Sequence, residues 1–153
     1  MLSKNRRLRL LGILSLLTLV ISCSSCGADL SPDFGVFSLK IDTDREVYFK
    51  REVAGQNYDL LVLSPNRDHC TPPNPQSDYI FHGGPRKIYY KIEDGVLVLF
   101  VSIAATPPEG PGFPVSVRQN EIHPLDFADF QKNYQNQGLK LLEVEINRGL
   151  KCN

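Results

Sequence analysis

The sequence predicts an α+β fold, mainly antiparallel β-sheet with one short helix. An all-β sandwich carrying the helix as a decoration is the alternative. Three observations lead there. Apolar residues alternate with period two along much of the chain beyond residue 30. An Asp94-Gly95 step separates two strand-like runs. One window, residues 126–137, has helical spacing instead.

Taken in order, Phe37, Leu39 and Ile41 share one face, with Ser38 and Lys40 opposite. Val47, Phe49 and Val53 share a face that Arg51 interrupts. Residues 58–63 are nearly all apolar, and Tyr79, Ile80 and Phe81 make a short candidate strand. Ile88, Tyr90 and Ile92 alternate with Lys87, Tyr89 and Lys91. After Glu93-Asp94-Gly95 come six apolar residues, Val96 to Val101, which predict a central strand apolar on both faces. In the helical window Phe127, Phe130 and Tyr134 fall on one stripe, Pro124 precedes it and Gly138 closes it. Leu142, Val144 and Ile146 alternate with Glu143 and Glu145 as a last strand, for a total of seven or eight strands.

Two segments, residues 71–75 and 106–114, hold seven of the 11 prolines. Proline fixes φ and lacks a donor, so both are expected to lie extended and outside the sheets. They read as stiff loops or as a semi-rigid recognition surface with Phe113 at its tip. Tyr89, set between Lys87 and Lys91, is the second candidate for such a surface, against the plainer reading of a cross-strand packing residue.

The charge is zero overall, with 17 basic and 17 acidic residues, but it is unevenly spread. Residues 1–22 carry Lys4, Arg6, Arg7 and Arg9 and no acid, so the remainder is four charges negative. An acidic body is a poor match for a nucleic-acid binder. Residues 10–21 form an uncharged apolar run behind the basic head. That is too short to span a bilayer and fits the apolar region of a secretory signal.

The run ends in Val20-Ile21-Ser22-Cys23. This resembles the lipobox of bacterial lipoproteins, with an aliphatic residue at −3, a small residue at −1 and the cysteine at +1. The resemblance covers residues 1–23 alone; the globular part resembles no family. It implies a signal peptide over 1–22, a diacylated Cys23 at the new N-terminus, and often a third acyl (palmitate-type) chain on the freed amine. Two or more acyl chains anchor stably where one does not. Among Gram-negative members, Ser24 in place of Asp implies the outer membrane. Residues 23–30 then form a lipidated tether and 31–153 a single globular domain. Ordinary cleavage after Ala28, giving a secreted soluble protein, is the alternative.

Export implies a compartment that permits disulfides. With Cys23 lipidated, Cys26, Cys70 and Cys152 remain and three pairings are possible. Cys70–Cys152 is favoured, because Cys26 lies in the tether and this pair would pin the C-terminus to the body.

No Gly-x-Ser-x-Gly elbow, phosphate-binding glycine loop, His-Glu-x-x-His or calcium loop occurs in the sequence. His69, His82 and His123 show no paired ligand spacing, and Cys70 is assigned to the disulfide, so neither a metal nor another cofactor is expected. The functional expectation is a lipid-anchored cell-envelope protein, exported and held at the membrane by its lipid. Its domain would be a non-catalytic module binding an envelope protein, a glycan or a small ligand. The alternative is an anchored hydrolase on envelope polymers, using His69 or His82 with Asp68 or Asp78.

Overall fold

The computed structural model describes residues 31–55, 57–83 and 87–152. Cys23, Cys26 and the signal segment lie outside the described residues.

Four antiparallel strands form the first sheet, in the order β1 (Asp33–Lys40), β2 (Glu46–Ala54), β3 (Tyr58–Ser64) and β4 (Tyr79–Phe81). The second sheet has the order β7 (Ser116–Glu121), β6 (Val96–Val101), β5 (Ile88–Glu93) and β8 (Lys140–Leu142). Helix α1 (Phe127–Asn133) continues into a 3-10 turn, Tyr134–Gln137. The α+β expectation holds. The two sheets share one core, so the sheet-on-sheet stacking of the alternative is present as well.

The period-two pattern explains the core. Leu39, Val47, Phe49, Leu61, Leu63 and Phe81 from the first sheet pack with Ile88, Tyr90, Leu97, Leu99 and Val101 from the second. The strand of β6 is central, as its run of apolar residues requires: Leu97 and Leu99 enter this core, while Val98 is buried on the opposite face. The β5–β6 hairpin turns on Asp94 and Gly95, at φ 51° and 74°, the left-handed pair of a type I′ turn.

A second, smaller cluster lies on the far face of the second sheet. There Phe127, Phe130 and Tyr134 pack over Tyr89, Phe100, Ile122 and Leu139. Gly138, at φ 71°, ends the helical segment and donates its N–H to Tyr134 and Gln135 carbonyls.

One expectation is corrected here. Of the last predicted strand only Leu142 is paired, at the end of β8; Val144 packs on the core and residues 143–146 cross toward the first sheet without joining one. The sheets are mainly antiparallel as expected, with one parallel pair, β7 beside β6. The parallel pair accounts for the proline-rich stretch. Adjacent parallel strands need a long crossover, and residues 102–115 supply it. The crossover is firmly held. Thr106 exchanges backbone hydrogen bonds with Ile80 at 2.9 and 3.0 Å, and the Gln119 side chain brackets Ala105 at 2.7 and 3.0 Å. Glu109 N–H donates to Pro75 O and Gly110 N–H to Gln76 O, so the two proline loops are docked on each other.

The chain after β8 acts as a strap between the sheets. It passes over Gly35 of β1, where Asn147 N–H donates to Phe34 O at 2.8 Å. A Cβ on Gly35 would collide with the carbonyl of Glu145. Gly35→Ala should therefore cost about 1–3 kcal/mol by overpacking and speed amide exchange across residues 143–147. An unchanged urea midpoint would show that the strap does not need this close approach.

Candidate functional site

The cleft under this strap is the candidate site. On the inner faces of β2 and β3 the alternation runs Val47, Phe49, then Arg51, and Leu63, Leu61, then Asp59. Arg51 pairs with Leu61 and Val53 with Asp59 in register, which makes Arg51 and Asp59 diagonal neighbours on one face. The guanidinium forks onto the carboxylate, Nε to Oδ1 at 2.9 Å and Nη2 to Oδ2 at 2.6 Å. These bonds raise the Arg51 pKa above its ordinary value, against the opposing effect of burial. Two charged side chains thus stand where the stacked sheets otherwise place apolar ones. The cleft that opens beside them holds about 330 Å³.

Leu61, Ile88 and Leu142 form its apolar floor. Glu143, Val144 and Glu145 of the strap make one wall, and Lys87 stands on the rim. The arrangement offers two cations and two carboxylates around an apolar base. It suits a ligand with an apolar group and both signs of charge, and the described residues that line it include no nucleophile–base pair.

The residues singled out from the sequence fall elsewhere. Cys70 and Cys152 are bonded, with Cα atoms 5.4 Å apart, and hold the end of the strap to the loop after β3. Tyr89 is not on a surface. At 1 % exposure it lies beneath α1, its ring 4.7 Å from Tyr134 and 5.2 Å from Phe130, and no recognition surface forms around it. Burial raises its pKa. Phe113 is not an exposed tip either: it folds back half-buried, edge-on to Tyr79 at 5.0 Å. Both residues were drawn inward because their aromatic area is worth more against a neighbouring ring than in water.

The histidines and acids suggested for acid–base work form no hydrogen-bonded pair among the described residues, although His69 follows Asp68 directly in the chain and packs on Phe34. His82 Nε2 lies 3.2 Å from Thr106 Oγ1, and His123 Nδ1 accepts from Leu125 N–H. Asp68 takes the Cys70 N–H and the Thr71 hydroxyl, which hold its pKa below the ordinary carboxylate value. Asp78, buried, accepts from Asn74 N–H and the Ser77 hydroxyl and so fastens the first proline loop. Neither Asp68 nor Asp78 shares a hydrogen bond with a histidine among the described residues.

Arg51 is the site residue that sequence reasoning passed over. Its signal was present as the one charge interrupting an apolar face of β2. Asp59, Lys87 and Glu143 gave none, because their meeting depends on how the sheets stack. Among the described residues no helix is long and apolar enough to cross a membrane. Comparison with protein-family models, with curated proteins and with solved structures finds no match to this chain.

Proposed function

We propose that this chain is a lipid-anchored cell-envelope protein whose domain is a binding module, with the cleft at Arg51 as its ligand site. The anchor rests on the lipobox ending at Cys23. The binding role rests on one observation, the cleft with an apolar floor and a charged rim built from both sheets and the strap. Its ligand carries an apolar side group and both charges, as a peptide segment does.

Two measurements test this. Cys23→Ala should leave the precursor unlipidated and uncut, with no acyl adduct in its intact mass; a wild-type mature mass without acyl groups on Cys23 would sink the anchor. A photo-crosslinking residue at Lys87, on the cleft rim, should give one dominant adduct in intact cells. The same residue at Lys132, exposed on α1, should not. Arg51→Ala should remove the adduct while costing about 1 kcal/mol or less, the scale of a partly exposed ion pair. Equal adducts from both positions, or an adduct indifferent to Arg51, would overturn the assignment of the cleft.

A further inference from the structure

We propose that, when the Cys70–Cys152 bond is reduced, His69, Cys70 and Cys152 form a site for a thiophilic divalent cation of the zinc class. The proposal stands on a convergence and on an unmet need. The ligand atoms of the three residues lie within 4.8 Å of one another. Nothing in the spacing shows this, because Cys152 reaches the loop from the far end of the strap, 82 residues away from Cys70. Independently, His69 Nε2 is fully buried and has no hydrogen-bond partner among the described residues. Its ring is packed against Phe34, at 5.2 Å between centroids, and cannot swing freely into water. A buried imidazole nitrogen without a partner is unfavourable as it stands, and it belongs to a ring whose ligand atom lies within 4.8 Å of the two sulfurs.

The donor set is chemically coherent. Two thiolates and one imidazole are the ligands that zinc prefers, and three protein ligands leave a fourth tetrahedral position for water. Asp68 does not fill that position, since its carboxylate is already occupied by Cys70 N–H and the Thr71 hydroxyl. The balance is simple. A dithiol reductant supplies two electrons and two protons to the Cys70–Cys152 bond and becomes a disulfide itself. The cation then displaces the two thiol protons as it binds. Either state closes the same link between strap and loop, by a covalent bond or through the cation. The proposal does not depend on what the cleft binds.

The test uses the full-length chain with Cys23→Ser and Cys26→Ser, purified in detergent, so that Cys70 and Cys152 are its only thiols. After reduction and anaerobic desalting it should take one equivalent of Zn²⁺ in competition with a chromophoric chelator, and the oxidised protein none. Co²⁺ should give a near-ultraviolet thiolate-to-metal band. His69→Ala should weaken Zn²⁺ binding about tenfold or more and shift the visible cobalt spectrum. If reduction unfolds the domain, recovery of the far-ultraviolet circular dichroism on adding Zn²⁺ supports the site. No Zn²⁺ uptake by the reduced chain overturns the proposal. So does a His69→Ala variant with unchanged affinity and spectrum, or a reduced chain that stays unfolded with the metal present.

Discussion

Cys152→Ser is expected to lower the unfolding free energy by about 2–5 kcal/mol, toward the upper end because the bond spans a sequence separation of 82 residues. Without the bond, the unfolded chain regains the freedom of that long loop. The folded chain loses more than a contact at its end. The strap is fixed by β8, by Val144 packed on the core, by the Asn147–Phe34 hydrogen bond and by the disulfide. Remove the last, and the end of the strap loses its covalent tie to the loop after β3, leaving the Asn147–Phe34 bond and the packing of Val144 to hold it. Urea unfolding should show an earlier midpoint and a steeper slope, since a less constrained unfolded state exposes more surface. Amides of 145–150 should exchange faster than those of β2 and β3. The oxidised protein treated with a dithiol should match the variant. A shift below about 1 kcal/mol would mean that the strap is held by its packing alone, against the chain-entropy expectation.

Tyr89→Ala is expected to cost about 3–5 kcal/mol, the range for deleting a large buried ring. Tyr89 touches Phe127, Phe130 and Tyr134, the three aromatic residues by which the helical segment meets the sheet. Helix α1 has seven residues and no side-chain bond at its N-cap. A helix that short does not persist on its own propensity, so its conformation depends on this cluster. The variant should lose helical circular dichroism and become open to proteolysis between His123 and Gly138. Tyr89→Phe keeps the ring and gives up only the hydroxyl, a loss of about 1 kcal/mol. A recognition residue would behave in the opposite way, with stability kept and binding lost. A Tyr89→Ala protein as stable as the parent would contradict the burial.

The elements themselves were legible because each is specified locally. Strands β1 to β6 follow an alternation or an apolar run, the hairpin follows Asp94-Gly95, and the helix follows the spacing of its three aromatics. Strand β7 was not legible. It reads Ser-Val-Arg-Gln-Asn-Glu, polar on an edge, and pairs with β6 through backbone bonds that side chains do not announce. Tyr89 shows the limit of a one-strand reading. Its alternation with Lys87 and Lys91 separates the two faces of β5, but both faces are covered, one by the first sheet and one by α1.

By itself, then, the sequence determined strands β1 to β6, the hairpin, the helix and the preferred cysteine pair, since these depend on residue type at short range or on eliminating a few alternatives. The expected lipid anchor at Cys23 likewise rests on the sequence alone, on a local processing motif. Only the tertiary structure decided which faces meet. It turned two proline loops toward each other, drew Tyr89 and Phe113 inward, and stood Arg51 and Asp59 at the end of the stacked sheets beneath the strap. The physical reason is that periodicity says which side of a strand is apolar, whereas the partner of that side is set by long-range packing that carries no local signature.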